Sequence, residues 1–243
     1  MRYWLAMLIE SPASPPPPSG NSTAPSSRWI KLALLVTLGI LLLGFAFAAD
    51  APVRSYVDRE GTEEHKRIAS LVSEYSEPQW LFAICAVGWV AAKLLRRPDW
   101  QRRWLIILAA TMIAGIMVNI PRSLTGRARP KNPVEQGWFG PKHNGQWLIG
   151  RNYYNSFPSG HTTTAAGFAF TACFCFRRLG WLAILGAASV GWSRIWVSAH
   201  HFSDVAVGML FGALLAWCIW RWLLDRGWVE ENSGAAPPTK VSA

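Results

Sequence analysis

Residues 104–130 read WLIILAATMIAGIMVNIPRSLTGRARP, an apolar run that gives way to a cluster of arginines. Residues 104–121 carry no charged side chain, and a helix needs about 20 apolar residues to cross the hydrocarbon core of a bilayer. Arg122 and Arg129-Pro130 follow directly. The stretch therefore predicts a membrane helix that ends at a group of cations.

Further apolar blocks of similar length lie at residues 30–49, 79–95, 160–176, 180–197 and 203–223. Any single block is compatible with a buried helix of a soluble protein, but six blocks in 243 residues are typical of a polytopic membrane protein. The blocks at 79–95 and 160–176 are short and mildly polar, so five spans is the alternative count. The sequence therefore predicts an all-α fold, a bundle of six transmembrane helices.

The net charge of +10 does not indicate a nucleic-acid partner, because the basic residues do not gather on one face or one helix. Eleven of them flank the apolar blocks on one side of a six-span path: Arg28, Lys31, Lys93, Arg96, Arg97, Arg102, Arg103, Arg177, Arg178, Arg221 and Arg226. The positive-inside rule makes that side cytoplasmic. We therefore expect a multi-pass protein of the plasma (inner) membrane with both termini in the cytoplasm.

The two ends of the chain differ in composition from the predicted membrane domain, which covers residues 29–226. Residues 1–28 contain a Pro- and Ser-rich stretch, and residues 227–243 contain Ser-Gly-Ala-Ala-Pro-Pro. Neither composition supplies enough apolar surface for a packed core. Both tails are therefore predicted to be disordered.

Two segments are expected to lie outside the membrane on the side opposite the basic loops. Residues 50–78 are rich in Asp and Glu, and an interfacial helix is predicted around Glu63–Tyr75. In the loop at 122–159, Asn144-Gly145 between aromatic residues indicates a small hairpin. This loop is either a lid that contacts a headgroup or a passive connector.

Polar residues typical of phosphate chemistry are concentrated in three short stretches at the ends of the apolar blocks. The stretches are Arg122 with Arg129-Pro130; Pro158-Ser159-Gly160-His161; and Ser193-Arg194 followed by His200 and Asp204. With the N-terminus inside, the third span ends at the first stretch and the fourth begins at the second. The fifth ends and the sixth begins at the third stretch, so all three are predicted to meet at the extracytoplasmic face.

The first two stretches carry groups that bind anions. Arg122, Arg129 and Arg194 provide planar guanidinium forks that match phosphate geometry. Ser159 and Gly160 are typical of a helix start, where free backbone amides form an anion site. His161 would then lie beside the bound phosphate.

The third stretch provides a candidate nucleophile. His200 and Asp204 are four residues apart, so a helix would place them on one face, where the carboxylate fixes the imidazole tautomer. His201 is the alternative partner, three residues before Asp204. Because Asp204 is the single acid among these stretches, and because Cys85, Cys173, Cys175 and Cys218 lie within apolar blocks without ligand-spaced histidines, we expect no metal, cofactor or disulfide.

In order and spacing, these stretches resemble the motifs of the type 2 phosphatidic acid phosphatase superfamily over about residues 104–224. The resemblance implies a six-helix membrane phosphatase with an extracytoplasmic, metal-independent site. It implies that His200 forms a phosphohistidine, that Asp204 orients it and that His161 is the general acid. It assigns phosphate binding to Arg122, Arg129, Ser159, Gly160 and Arg194. Arg122 departs from the family pattern, which usually has Lys there.

The sequence as a whole predicts an integral membrane lipid phosphatase. Its substrate is expected to be a lipid phosphate or pyrophosphate, such as a polyprenyl pyrophosphate, a phosphatidylglycerol phosphate, phosphatidic acid or a lipid A phosphate. One alternative is a lipid phosphotransferase with the same intermediate, and another is a catalytically silent lipid-binding protein. The intact His161, His200 and Asp204 argue against the silent protein, and the apolar blocks argue against a soluble peroxidase of the same superfamily.

Overall fold

The computed structural model describes residues 27–133 and 135–229, so the predicted tails lie almost entirely outside the described residues. The helices are α1 Ser27–Ala48, α2 Asp50–Glu60, α3 Glu63–Glu74, α4 Pro78–Leu94, α5 Pro98–Met117, α6 Asn119–Thr125, α7 Gly160–Cys175, α8 Arg177–Trp196 and α9 Phe202–Asp225. Strands β1 Lys142–His143 and β2 Gln146–Trp147 form an antiparallel hairpin, followed by a 3₁₀ turn at Asn152–Tyr154.

Each predicted apolar block corresponds to one helix: α1, α4, α5, α7, α8 or α9. Among the described residues, three stretches are long and apolar enough to cross a bilayer, namely Trp29–Ala48, Pro98–Thr125 and Phe202–Asp225, and α4 is a shorter apolar helix. The prediction of a mainly helical membrane protein is therefore confirmed.

The chain divides into two compact units, one ending at Ile40 and one beginning at Leu41. The described part of the first unit, residues 27–40, is entirely helical and mostly exposes apolar side chains. The second unit contains the rest of the helices and all three motif stretches.

Helix α7 lies at the centre of the second unit and packs against α5, α8 and α9. The close approach depends on small residues, as is common where membrane helices meet. A Cβ at Gly212 of α9 would lie 2.4 Å from the carbonyl oxygen of Thr163, and one at Gly167 would lie 2.6 Å from the Cβ of Ala114. Below this contact, Ile107, Cys85, Ala172 and Cys175 form a buried apolar cluster.

Two predictions for the segments outside the apolar blocks are confirmed. Helix α3 covers the segment predicted around Glu63–Tyr75, and the hydroxyl of Thr62 caps it by accepting from the His65 amide at 3.2 Å. The hairpin turns at Asn144-Gly145 with positive φ angles of 47° and 77°, as a type I′ turn requires. Helix α2 was not predicted as a separate element.

The basic loops and the motif stretches lie at opposite ends of the bundle. At one end, Nη1 of Arg103 donates to the carbonyl of Cys175 at 2.6 Å, which joins the start of α5 to the end of α7. At the other end, the Ser159 amide donates to the carbonyl of Asp204 at 3.0 Å, which joins the start of α7 to the start of α9.

Candidate active site

The three motif stretches come together where α6 and α8 end and where α7 and α9 begin. A Cβ on Gly160 would lie 2.8 Å from Nη1 of Arg122, so glycine allows the first and second stretches to touch. The Ser159–Asp204 backbone hydrogen bond joins the second stretch to the third. The predicted convergence at one end of the bundle is therefore present. Helix α6 ends at Gly126, in left-handed conformation with φ of 56°, so Arg122 and Arg129 do not share a helix.

Helix α7 begins at Gly160 with Ser159 at the N-cap position, as predicted, but the Ser159 side chain does not cap it. Its Oγ instead pairs with the hydroxyl of Thr162 at 2.9 Å, and the residue is fully buried. The Ser159 carbonyl accepts from the Thr163 amide at 3.0 Å. Because no side chain occupies the first-turn amides of α7, they remain available to an anion.

The three predicted arginines have incomplete hydrogen bonding. Nη2 of Arg122 donates to the carbonyl of Asn155 at 3.1 Å, and Nη1 of Arg194 donates to the hydroxyl of Ser73 on α3. The Nε atoms of Arg122, Arg129 and Arg194 are buried without a hydrogen-bond partner. A buried donor is rarely left unpaired in a native protein, so these three groups together indicate a site that binds an anion.

Electrostatics around this cluster are consistent with an anion site. Burial lowers the pKa of Arg129. Burial also lowers the pKa of the nearby Lys131, as do the positive charges of Arg129 and Arg194. Grouped cations that lack carboxylate partners repel one another, and a bound phosphate would relieve that repulsion.

The His200 side chain is buried, with the residue 2% exposed. Its Nδ1 lies 2.7 Å from the carbonyl oxygen of Ser156, so Nδ1 carries the hydrogen. Nδ1 is 3.6 Å from Oδ2 of Asp204, which is therefore a neighbour and not its closest acceptor. Burial lowers the pKa of His200 to about 4, against the opposing effect of Asp204. The ring is thus neutral near pH 7, and the lone pair of Nε2 is free to react.

His201 has a different environment. Its Nε2 is 3.2 Å from the carbonyl of Ala128, and its backbone amide donates to Oδ2 of Asp204 at 2.8 Å. His201 is the N-cap residue of α9, with Asp204 at the third helical position. This geometry favours His200 over His201 as the reactive histidine, because the backbone engages Nε2 of His201 but Nδ1 of His200.

Asp204 is fully buried and contacts two residues that the sequence did not indicate. Its Oδ2 accepts from the hydroxyl of Ser156 at 2.5 Å, and its Oδ1 accepts from Nη1 of Arg127 at 2.5 Å. Arg127 lies between Arg122 and Arg129, and the motif spacing does not include it. Ser156 precedes the second stretch by two residues and had no charge to attract attention.

His161, in the first turn of α7, also has an unpredicted partner. Its Nε2 lies 3.0 Å from Oε1 of Glu77, the residue at the N-cap of α4. Glu77 is 84 residues away in sequence, in a segment predicted as a connection outside the membrane. No local pattern links the two.

The four cysteines are free: Cys85 and Cys175 are buried, Cys173 is half-buried and Cys218 is exposed on α9. Within residues 27–133 and 135–229, no group of three or more His, Cys, Asp or Glu side chains has the arrangement of a metal site. Metal-independent chemistry stays a prediction for the activity assay described below.

The helical fold and the buried arginine–histidine cluster define a membrane protein built for phosphoryl transfer. A model of the PAP2 superfamily matches residues 103–228. The chain is 28% identical over 200 residues to a lipid A 1-phosphatase of Rhizobium johnstonii, with 78% of each chain covered. It is 27% identical over 125 residues to the undecaprenyl-diphosphatase BcrC of Bacillus subtilis, covering 50% of this chain and 58% of the relative.

Two solved structures have a similar fold. One is a transmembrane PAP2-type phosphatidylglycerolphosphate phosphatase from Bacillus subtilis, with a TM-score of 0.52, 17% identity and coverage of 79% of this chain and 96% of that one. The other is LpxE from Aquifex aeolicus, with a TM-score of 0.50, 17% identity and coverage of 71% and 94%. The chain belongs to the PAP2 superfamily and is a membrane lipid phosphatase, as its motifs predicted.

Proposed function

We propose that His200 is the nucleophile of this lipid phosphatase and that its Nε2 attacks the phosphorus of the substrate. The observation that carries the proposal is the hydrogen bond of 2.7 Å between Nδ1 and the Ser156 carbonyl, which leaves Nε2 free on a buried ring. A nucleophilic histidine needs this tautomer.

The reaction has two steps. In the first, a bond forms between phosphorus and Nε2 of His200 while the bond from phosphorus to the lipid oxygen breaks, and His161 donates a proton to that oxygen. In the second, water attacks phosphorus and gives a proton to His161, and the phosphorus–nitrogen bond breaks to release inorganic phosphate. His161 therefore acts as a general acid in the first step and as a general base in the second.

The cations supply most of the transition-state stabilisation. Phosphoryl transfer spreads negative charge over the equatorial oxygens, so positioned guanidinium groups lower the barrier. Arg122, Arg129 and Arg194 take this role, since each has a buried Nε without a partner. Gly160 contributes its backbone amide at the start of α7, and Ser159 takes part as the N-cap residue, since its own amide is bonded to the carbonyl of Asp204.

The same observations support a finer membrane arrangement. We assign the six helices α1, α4, α5, α7, α8 and α9 to six spans within a domain covering residues 29–226, flanked by tails at 1–28 and 227–243. The basic loops lie in the cytoplasm with both termini, and the site lies at the extracytoplasmic end. The substrate enters from the outer leaflet, with its phosphate at headgroup level.

The substrate class is a lipid with a terminal phosphate or pyrophosphate. The Rhizobium relative is named for lipid A 1-phosphate and BcrC for undecaprenyl diphosphate, and both fit a site with several fork cations. A transferase that passes the phosphate to an alcohol would use the same first step and differ in the acceptor alone.

The test is phosphate release by the purified full-length protein from a panel of lipid phosphates and pyrophosphates, with EDTA present. His200→Asn should abolish turnover, whereas His201→Asn, the matched control, should retain most of it. Because removal of a nucleophile costs up to about 10⁶-fold in kcat, the two variants are easily separated. Phosphate trapped on residue 201 would overturn the assignment. Phosphate found on an added alcohol would favour the transferase, and activity that requires magnesium would contradict metal independence.

A further inference from the structure

Arg127 is buried in the loop between α6 and α7, with its side chain 8% exposed. Its Nη1 donates to Oδ1 of Asp204 at 2.5 Å and to the hydroxyl of Ser203 at 2.7 Å. Its Nη2 donates to Oδ2 of Asp50 at 2.5 Å. One guanidinium group therefore bridges two carboxylates from distant parts of the chain.

Asp50, the first residue of α2, completes a closed set of hydrogen bonds around Arg127. Its Oδ1 accepts from the Ser203 amide at 2.8 Å, and its Oδ2 accepts from the Ser203 hydroxyl at 2.7 Å. The Asp50 side chain is 14% exposed. Its contacts fix both the guanidinium and the first turn of α9, the turn that carries Asp204.

A second path leads from Arg127 to His200 through the backbone. The carbonyl of Arg127 accepts from the Ser156 amide at 3.1 Å, and the carbonyl of Ser156 accepts from Nδ1 of His200 at 2.7 Å. The hydroxyl of Ser156 donates to Asp204 at 2.5 Å. Ser156 and Asp204, which both lie against the His200 ring, are thus each hydrogen-bonded to Arg127, Ser156 through its backbone amide and Asp204 through its carboxylate.

Aromatic rings enclose the guanidinium group. Its Cζ lies 4.6 Å from the ring centroid of Trp138 and 5.7 Å from that of Phe47. Rings at these distances attract the cation and exclude water, which strengthens its bonds to the carboxylates. Arg127 differs here from the three arginines assigned to phosphate, because both of its Nη atoms donate to carboxylates of the protein.

We propose that Arg127, anchored by Asp50, is a positioning residue that fixes Asp204 and Ser156 and, through them, the attacking ring of His200. The inference rests on the proposed roles of His200 and Asp204. It assigns to the start of α2 a part in the chemistry, although Asp50 is 153 residues from Ser203 in sequence. Arg127 itself does not contact the phosphate.

The experiment compares Arg127→Lys and Asp50→Asn in the purified full-length protein. Lysine keeps the charge but lacks the fork that reaches both carboxylates. Asparagine keeps an acceptor for the Ser203 amide but removes the charge that anchors Arg127. Arg151→Lys and Asp58→Asn are matched controls, because both residues are exposed and outside the site.

We expect kcat to fall about 10- to 100-fold in Arg127→Lys and about 10-fold in Asp50→Asn, as small misplacements of a reacting group do. The KM for the lipid and the inhibition constant of inorganic phosphate should stay near those of the wild type, since the phosphate-binding arginines are unchanged. Both controls should have normal kcat. Thermal unfolding in the same detergent identifies any variant that has lost its fold. If Arg127→Lys does not fold, the kcat of Asp50→Asn alone tests the proposal.

Two results would overturn the inference. An unchanged kcat in folded Arg127→Lys and Asp50→Asn would show that the network does not position the site. A weakened phosphate inhibition constant in parallel with kcat would make Arg127 a phosphate ligand instead. Asp204→Asn separates this inference from the proposed function: if that variant is active, the proposed role of Asp204 fails, and if it is inactive while the other two are active, the Arg127 inference alone fails.

Discussion

Arginines occupy both ends of the helical bundle, but in opposite settings. At the end where α7 begins, Arg122, Arg127, Arg129 and Arg194 are buried or half-buried. At the other end the basic residues Lys93, Arg96, Arg97, Arg102, Arg177, Arg178, Arg221 and Arg226 are exposed. Arg103 is half-buried there and donates to the carbonyl of Cys175.

The difference in burial indicates that the arginines at the two ends have different roles. Removing a guanidinium group from water is costly unless an acceptor replaces the water. Arg127 has two carboxylates, whereas Nε of Arg122, Arg129 and Arg194 has no protein acceptor. Arg122, Arg129 and Arg194 are therefore arranged for an anionic ligand, whereas Arg127 is paired within the protein. The exposed set stays in contact with solvent, and the positive-inside rule predicts that this end of the bundle faces the cytoplasm.

The largest expected effect is in cysteine labelling that tests the membrane orientation of the two ends, because a thiol on one side is either labelled or not. In a background without the four native cysteines, Gln146→Cys places a thiol in the exposed hairpin and Asp99→Cys places one beside the basic loop at the start of α5. We expect an impermeant thiol reagent to label the first in intact cells and the second after lysis alone. The reverse pattern would refute the extracytoplasmic site.

The next largest effect is expected in kcat/KM, when one arginine from each end of the bundle is replaced by alanine. Arg129→Ala should lower kcat/KM by about 10²- to 10³-fold, the usual cost of losing one group that stabilises the transition state. Arg102→Ala, at the exposed end, should leave it near the wild-type value. The measurement is steady-state phosphate release in detergent. A comparable loss in both variants would mean that the contrast between the ends is structural and not catalytic.

The sequence was sufficient to predict the helices, the basic loops at one end and the motif residues at the other. Apolar length and loop charge are local properties, so the six helices and the basic loops follow from short windows. The motif spacing likewise indicated Arg122, Gly160 and His200, which the structure brings to one end of the bundle.

The partners of these residues could not be predicted in the same way. Glu77 meets His161 across 84 residues, and Arg127 meets Asp50 across 77. Such pairs depend on how α2, α3 and α4 pack beside the site, which no periodicity in the chain encodes. The motif spacing and the family resemblance already favoured His200 over His201, and the choice stays a prediction that phosphate trapping tests.

A smaller effect, on the inhibition constant of inorganic phosphate, is expected from a substitution at the contact between the first two stretches. Gly160→Ala places a Cβ 2.8 Å from Nη1 of Arg122, so the guanidinium must shift. We expect an increase of about 10-fold in the inhibition constant of inorganic phosphate, the energy of roughly one hydrogen bond to a charged group. Gly186→Ala on α8 is the control, since no atom lies within 4 Å of its added Cβ. Equal affinity in both variants would show that Arg122 does not need its present position.

The smallest effect concerns pH and the buried histidine, which has no counterpart at the exposed end. The pKa of His200 is lowered from 6.5 to about 4 by burial, so between these values the unfolded chain binds a proton that the folded protein does not. The stability that depends on the neutral ring is complete above about pH 6.5 and is lost as the pH falls toward about 4.

Thermal unfolding in detergent should therefore show a smaller drop in Tm on acidification for His200→Asn than for the wild type, by about a few degrees. His143→Asn, in the hairpin and away from the site, is the control. If His200→Asn and wild type lose the same Tm between pH 7 and pH 5, His200 is not held neutral by the fold, and the free lone pair on Nε2 loses its support.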